Sequence, residues 1–216
     1  MPKVHPFDEH PAEYDQWFDD HSFVYLSELE ALRRVLPAAG EGVEIGVGTG
    51  RFAHPLGIAE GCDPSAEMRA RAARRGIHVI PCAAESLPYE NERFAFALMV
   101  TTICFVDDPE ASLAEIRRIL KPHGQFILAW VDKNSPLGRR YQAARRKSSF
   151  YREARFFGRR EIKTFLTKTG FVLEQTWQTV FGPLPRIQAV QEPACGAGKG
   201  GFVVMAARKG ECVSPT

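Results

Sequence analysis

The sequence predicts an α/β domain in which helices cover both faces of a mostly parallel sheet. Short apolar segments alternate along the chain with segments whose apolar residues recur at helical spacing, the pattern of repeated strand–helix units. Apolar residues make up 44% of the 216 residues and charged residues 25%, which is typical of a globular chain with a core. No apolar run approaches the roughly 18 residues of a membrane span, and residues 1–20 contain no apolar signal-peptide core. We therefore expect one cytoplasmic domain without membrane association.

The N-terminal segment is predicted to be helical and to precede the strand–helix alternation. Apolar side chains recur there at three- and four-residue steps: Trp17, Phe18, Tyr25, Leu26, Leu29, Leu32, Val35 and Leu36. Pro37 and Gly40 end this pattern, as helix-terminating residues do. Residues 1–37 are therefore interpreted as a helical cap on the sheet.

The first three predicted strands are short and are followed by turns. An apolar run at 42–47 leads into a glycine cluster, and a helix is predicted from about Arg51. Asp63-Pro64-Ser65 has the composition of a turn and helix cap. The predicted elements of this part are strands at 42–47, 57–62 and 77–80, with helices from 51 and at 66–75.

The second half of the chain continues this alternation and then interrupts it. Residues 94–100 (FAFALMV) are apolar throughout, as expected of a strand buried on both faces. Asp107-Asp108-Pro109 predicts the start of a helix, which ends at residues 121–124. The elements after it are a strand at 125–131, a polar insert at 133–157, a helix at 159–169 capped by Gly170, a strand at 171–181, a loop at 182–200 and a strand at 201–207.

The insert carries most of the charge asymmetry of the chain. Residues 139–160 contain nine Arg or Lys and one acid, which leaves 19 basic and 25 acidic residues elsewhere. Three interpretations fit this segment: a lid over a pocket, a nucleic-acid patch with interleaved aromatic residues, or a solvated amphipathic helix. Because the rest of the chain is acidic, we rank nucleic acid below a small molecule as the partner.

The cysteines indicate neither a disulfide framework nor a structural zinc site. Five are present, an odd number, and no two are spaced as CxxC: Cys62, Cys82, Cys104, Cys195 and Cys212. Reduced, mostly buried thiols are the expectation, and no metal site is predicted.

The sharpest motif is VEIGVGTGRF at 43–52, a strand followed by a glycine turn and a helix start. Glycines there permit positive φ and a close approach of ligand to backbone. The spacing is GxGxG, with Arg51 where the third glycine of a dinucleotide fingerprint, GxGxxG, would stand. Glu44, two residues before the first glycine, suits a cationic amine better than a phosphate.

Asp63 is the second candidate binding residue. It follows the second apolar run, at the sheet edge where open α/β sheets bind ligands. A carboxylate there can accept hydrogen bonds from both hydroxyls of a ribose. A helix N-cap before Pro64 is the competing interpretation.

Five segments together resemble one enzyme family. VEIGVGTGRF, GCDPS, AAESLPY, FALMVTTICFVDDP and EIRRILKPHGQFI occur in the order and spacing of the class I S-adenosylmethionine-dependent methyltransferases, most similar to the methyltransferase domain 11 group. The resemblance covers roughly residues 40–131, which it implies are the cofactor-binding core, with residues 158–208 as the C-terminal helix and strands. It further implies a Rossmann-like, seven-stranded sheet whose last strand is antiparallel.

The resemblance also implies roles for individual residues toward S-adenosylmethionine. Glu44 would lie near the amino group of the cofactor, the glycines beneath its methionine and ribose parts, and Asp63 on the ribose hydroxyls. Relatives often carry Asp at Ala83, so the adenine amino contact here is open. The implied cofactor-binding residues are Glu44, Gly46, Gly48, Gly50, Asp63, Met68, Ala84, Glu85 and Thr101, with Thr102 beside the last.

No catalytic residue is fixed by the sequence, because methyl transfer needs a base only if the acceptor must lose a proton. Weak candidates are Tyr14, His21 and Tyr25.

The segments 11–25 and 133–157 are expected to border the acceptor pocket. Four arginines of the insert are expected to favour an acidic or polar acceptor: Arg139, Arg140, Arg145 and Arg146.

The main hypothesis is a small-molecule methyltransferase. The alternatives are an RNA methyltransferase that uses residues 139–160 and a non-catalytic S-adenosylmethionine-binding protein. No oligomeric state is predicted.

Overall fold

The computed structural model describes residues 4–211 and contains one mixed sheet of eight strands. The strand order is β3-β2-β1-β4-β5-β8-β6-β7. The first five strands pair in parallel, whereas β8 runs antiparallel between β5 and β6, and β7 pairs antiparallel to β6. The strands are β1 Gly42–Ile45, β2 Glu60–Cys62, β3 His78–Ile80, β4 Phe94–Val100, β5 Leu120–Val131, β6 Phe171–Thr179, β7 Ala194–Cys195 and β8 Phe202–Lys209.

The mostly parallel sheet and the antiparallel last strand are confirmed, but the strand count is one higher than expected. The extra strand, β7, has two residues and lies in the region expected to be a loop. Two residues are too few to show an alternating pattern, and Pro193 and Gly196 flank them.

Helices pack on both faces of the sheet, as predicted. Along β4, Ala97 and Met99 enter one apolar layer, while Leu98 and Val100 enter the other. This burial on both faces explains the uninterrupted apolar run. The helices are α1 His5–Glu9, α2 Pro11–Asp20, α3 Ser22–Arg33, α4 Ala66–Arg74, α5 Pro109–Ile119, α6 Pro136–Ala144 and α7 Arg159–Lys168.

The N-terminal segment is helical, as expected, with a break between α2 and α3 at His21, whose φ of −118° and ψ of 41° lie outside the helical range. One helix prediction needs correction. The helix expected from Arg51 is only a three-residue 3₁₀ turn, His54–Leu56. Pro55 has no N–H to donate, and Gly57 adopts a left-handed conformation, so helix cannot extend there.

The prediction that all cysteines are reduced is wrong, because Cys62 and Cys82 form a disulfide. Cys62 ends β2, and Cys82 lies two residues beyond β3, its parallel neighbour, so that their Cα atoms are 5.7 Å apart. A separation of 20 residues gives no local sign of this pairing. Cys104 and Cys195 are thiols, and Cys212 lies outside the described residues.

Within residues 4–211, no helix has both the length and the apolar character needed to cross a membrane.

Candidate active site

A cavity of about 420 Å³ lies at the carboxyl ends of β1, β2 and β4. Its volume is within the range of small-molecule sites. The strand ends contribute Gly46, Asp63 and Thr101 to its wall. The remaining wall comes from α1, α2 and α3 and from the insert, whose α6 and following residues cover the opposite side. The segments 11–25 and 133–157 both line this cavity, as expected, and its use as an acceptor pocket stays a prediction.

The glycine turn forms the floor of the cavity. Gly46, Gly48 and Gly50 all have positive φ, at 71°, 54° and 83°. A Cβ atom on Gly46 would lie 2.3 Å from the Thr102 side chain, which is too close for any real contact. Gly46 and Gly48 line the cavity, whereas Gly50 packs away from it, against Ile77. Gly46 and Gly48 therefore leave room for a ligand in the cavity. Gly50 instead allows the turn to pack closely against Ile77.

Asp63 joins the glycine turn to the start of α4. Its two carboxylate oxygens accept hydrogen bonds from the backbone N–H groups of Gly48 and Ser65, each at 2.9 Å. The N-cap of α4 is Ser65, whose hydroxyl accepts from the Met68 N–H. Burial raises the pKa of Asp63 to about 6, against the lowering effect of those two N–H groups. Asp63 thus presents a buried carboxylate to the cavity without acting as the helix cap.

Glu44 is buried in β1 and does not line the cavity. Its Oε2 atom is buried and has no hydrogen-bond partner among the described residues. Burial raises the pKa of this carboxyl well above its ordinary value, although a hydrogen bond from the Ala53 backbone opposes the shift. An unpartnered buried oxygen is costly unless a proton or a cation satisfies it.

Met68 and Ala84 contribute apolar surface to the cavity, and Glu85, next to Ala84 in the chain, also lines it. The Glu85 carboxylate accepts hydrogen bonds from the N–H groups of Asp107 and Asp108, at 2.8 and 3.2 Å. It therefore ties the loop after β3 to the start of α5, in addition to bordering the cavity.

Thr101 holds a strained backbone at the end of β4. Its φ is 51°, a left-handed value that costs a non-glycine residue about 1–2 kcal/mol. The surroundings enforce it, because the Thr101 N–H donates to the Ala129 carbonyl and the Thr101 carbonyl accepts from the Cys104 thiol. Thr101 and Thr102 both line the cavity.

Of the three weak catalytic candidates, the structure brings only Tyr14 into the cavity. Its hydroxyl lies 3.4 Å from the position a Cβ on Gly48 would take. Burial, with help from nearby carboxylates, raises the pKa of Tyr14 far above its ordinary value, so the phenol stays neutral. His21 instead stacks on Trp17, with ring centroids 4.6 Å apart, and the Tyr25 hydroxyl donates to the Arg51 carbonyl.

A charged network fastens α2 to the glycine turn. Asp15 in α2 accepts from the Arg51 guanidinium at 2.8 Å, from Arg75 at 2.7 Å and from the Thr49 hydroxyl at 2.8 Å. Asp19, one helical turn later, also pairs with Arg51. Because α2 carries Tyr14, this network positions one wall of the cavity over its floor.

Replacing Asp15 with Asn is expected to loosen α2, because Arg75 loses its anionic partner and Arg51 keeps only Asp19. Hydrogen exchange in α2 should accelerate, and ligand affinity should fall by about three- to tenfold, consistent with a partly buried ion-pair network. Although burial alone would raise it, hydrogen bonds from Arg75 and Arg51 lower the pKa of Asp15. The stabilisation is therefore present above the ordinary pKa of 3.8 and lost as the pH falls through the lowered value.

Asp19→Asn is the matched control, since its side chain is 56% exposed against 16% for Asp15. It should leave exchange in α2 nearly unchanged. Equal effects of the two substitutions would contradict the role given to Asp15.

The arginines of the insert do not shape the cavity. The four in question are exposed and absent from its wall: Arg139, Arg140, Arg145 and Arg146. Leu137, Tyr141 and Ala144 line it instead, at steps of four and three along α6, which leaves the arginines on the solvent side. These arginines therefore do not reach a ligand inside the cavity, and the expectation that they favour an acidic or polar acceptor has no support from their placement.

The sequence analysis missed Glu28, a buried acid in α3 that lines the cavity. The sequence itself contains a sign that Glu28 is buried. Glu28 lies four residues after Val24 and four before Leu32, on the apolar face of the helix, where an acid is unexpected.

The site can now be compared with known proteins. A family model described as "Methyltransferase domain" matches residues 43–128. An uncharacterized protein of Methanocaldococcus jannaschii is 41% identical over 203 residues, 94% of this chain and 98% of that protein. A crystal structure from Thermotoga maritima, described as a SAM-dependent methyltransferase and possible histamine N-methyltransferase, is 48% identical and superposes with a TM-score of 0.93 over 95% of this chain and 99% of that one.

A more distant structure shows the fold alone. Geranyl diphosphate C-methyltransferase from Streptomyces coelicolor A3(2), in complex with Mg²⁺, geranyl diphosphate and S-adenosyl-L-homocysteine, is 17% identical with a TM-score of 0.62, over 84% of this chain and 76% of that one. The family model, the near-full-length relatives and the GxGxG turn lead to one conclusion: this chain belongs to the S-adenosylmethionine-dependent methyltransferases.

Proposed function

We propose that the protein transfers a methyl group from S-adenosylmethionine to a small molecule held in the same cavity. The observation that carries this proposal is the continuity of the cavity. One wall contains the glycine turn, Asp63 and Met68, and the other contains aromatic residues of α2 and of the insert. A cofactor on the first wall would therefore face an acceptor on the second.

The residues on the first wall fit the cofactor. Each oxygen of Asp63 accepts one backbone N–H and retains a lone pair for a ribose hydroxyl. Met68 and Ala84 offer apolar contact to an adenine ring. Glu44 does not line the cavity, but its unpartnered Oε2, on the strand that enters the turn, would suit the positive charge of the methionine amino group across a bridging water.

S-adenosylmethionine, when bound, supplies a methyl group on a positively charged sulfur. The protein has to hold the acceptor lone pair about 3 Å from that carbon and in line with the breaking bond, and positioning of this kind lowers a barrier by several kcal/mol. Thr101 and Thr102, on the rigid end of β4, are candidates for lining the transfer position. Tyr14, as a neutral phenol, would position the reactants by hydrogen bonding, and α2 and α6 would exclude water.

Two observations favour a small molecule over RNA as the acceptor. The cavity is covered by α2, α3 and α6, whereas the basic side chains of 139–160 lie outside its wall. The description of the Thermotoga relative also names a small molecule.

Calorimetry and a transfer assay test the proposal. The protein is expected to bind S-adenosylmethionine and S-adenosylhomocysteine but not NAD, and to move labelled methyl groups into a small-molecule extract. Binding without transfer to any acceptor would favour the non-catalytic alternative. Labelling of RNA that disappears on Arg→Ala changes at 145, 146 and 155 would favour the RNA methyltransferase.

A further inference from the structure

The side chain of Glu28 is an unsatisfied acid in the wall of the cavity. Only 6% of the residue is exposed, and no hydrogen bond or ion pair joins its carboxyl group to any residue between 4 and 211. Glu28 nevertheless lines the cavity, so the space it faces is where a partner can enter. A buried carboxyl without a protein partner needs a proton, a water molecule or a ligand to satisfy it, and the cavity is where such a partner can reach Glu28.

The surroundings of Glu28 are aromatic and acidic. The carboxylate acts electrostatically on the phenols of Tyr14, Tyr141 and Tyr151, all of which also line the cavity. Among the described residues of the cavity wall there are four acids and no Lys, Arg or His. An environment of aromatic faces and carboxylates attracts cations and rejects anions.

The four acids differ in their surroundings, and Glu13, on α2, is exposed to solvent. Asp63 belongs to the turn that would hold the cofactor, and Glu85 is occupied by the backbone at the start of α5. Glu28 lies instead on α3, which, like α6 with Leu137 and Tyr141, contributes to the wall from outside the strand–turn core. It is therefore placed to meet the acceptor.

We infer that the acceptor is a small amine with an apolar or aromatic frame, and that Glu28 binds its nitrogen. This inference rests on the proposed function and deepens it by naming the acceptor class. The aromatic side chains would enclose the frame of the amine, and the carboxylate would pair with its ammonium group.

The same carboxylate can accept the proton that an ammonium group must lose before its nitrogen is methylated. A protonated amine has no free lone pair, so one proton must leave before the nitrogen attacks. Glu28 takes that proton; the N–C bond then forms as the C–S bond breaks, and the bonding electrons remain on sulfur. The products are a methylated ammonium ion and S-adenosylhomocysteine, and the proton leaves Glu28 to solvent. Burial raises the pKa of Glu28 to about 8, which suits such an exchange near neutral pH.

Three probes with one frame and different charges test the inference. At saturating S-adenosylhomocysteine, calorimetry compares 2-phenylethylamine, 2-phenylethanol and 3-phenylpropanoate, which are cationic, neutral and anionic. The wild-type protein is expected to prefer the amine over the alcohol by at least about tenfold, in keeping with a charge-assisted hydrogen bond, and to bind the acid weakest. Glu28→Gln should reduce the preference for the amine to about twofold or less.

Glu30→Gln is the matched control. Glu30 lies on the same helix, but its side chain is 41% exposed and pairs with Arg33, so the preference for the amine should persist. Glu28→Asp, which keeps the charge but shortens the side chain, should retain the preference with weaker affinity and serves as the test if Glu28→Gln does not fold.

The outcomes separate the inference from the proposed function. If neither protein binds S-adenosylhomocysteine, the proposed function fails. If both bind it but the alcohol or the acid binds as tightly as the amine, the inference fails alone. Loss of S-adenosylhomocysteine affinity in Glu28→Gln would assign this carboxylate to the cofactor and would also overturn the inference.

Discussion

Replacing Asp63 with Ala is expected to weaken S-adenosylhomocysteine binding by about 30- to 1,000-fold, the equivalent of 2–4 kcal/mol for two hydrogen bonds to an ionised carboxylate. Stability should change much less, because the substitution removes hydrogen bonds to Gly48 and Ser65 but also relieves a buried charge. Calorimetry measures the affinity, and urea denaturation measures the free energy of unfolding.

The pH dependence of Asp63 gives a second measurement. Its pKa is raised from 3.8 to about 6 in the folded protein, so the folded state holds this proton more tightly than the unfolded chain. The corresponding stabilisation is present below pH 3.8 and is lost as the pH rises through 6. Affinity should run the opposite way, increasing up to about pH 6 as the carboxylate ionises.

Asp63→Asn is the control, because it keeps the shape of the side chain but cannot ionise. Both pH dependences should disappear in this variant. A loss of stability with unchanged affinity in Asp63→Ala would show that the residue only supports the turn.

Replacing Gly46 with Ala should damage the fold and the site together. The new Cβ would lie 2.3 Å from the Thr102 side chain, on a backbone whose φ is 71°. Left-handed strain costs about 1–2 kcal/mol and overpacking about 1–3 kcal/mol more, so the free energy of unfolding should fall by roughly 2–5 kcal/mol. Because Thr102 also lines the cavity, S-adenosylhomocysteine affinity should fall by more than about tenfold.

Gly57→Ala separates strain from collision. Gly57 has nearly the same φ, 70°, but no atom lies within 4 Å of its Cβ position, and it is remote from the cavity wall. This variant should lose only about 1–2 kcal/mol of stability and keep full affinity. If the two alanine variants lose equal amounts, the contact with Thr102 is unimportant.

Local patterns were sufficient for most of the fold. Three elements were predictable from fewer than about ten neighbouring residues each. They are β4 from its apolar run, the start of α5 from its Asp108 cap, and α4 from its helix-forming residues. The pattern failed where one residue overrides its neighbours, as Pro55 does after the glycine turn, or where an element is too short to have a period, as in β7.

The strand side of the candidate site was predictable residue by residue, whereas the helical side was predictable only as the segments 11–25 and 133–157, with Tyr14 as a weak candidate. The glycine turn and Asp63 form a local motif with a recognisable spacing. The Cys62–Cys82 disulfide depends on a contact between segments distant in the chain, which periodicity does not encode. Helical spacing places Glu28 on the apolar face of α3, but it does not show that this face borders the cavity. The prediction that arginines of the insert shape the pocket was based on its basic composition. Which side chains reach the cavity is determined instead by their spacing along α6.

The position of β8 has a consequence for how the protein is made. β5 and β6 do not pair with each other; residues 202–209 form the strand that joins them, with β5 on one side and β6 on the other. During synthesis the strands β1 to β5 can assemble as they leave the ribosome, whereas β6 has to wait for β8. Until then the outer edge of β5 and the edge of β6 that β8 covers expose unpaired backbone groups, the kind of surface on which nascent chains aggregate. Chaperone binding should therefore be most important for nascent chains in which β6 has left the ribosome but β8 has not.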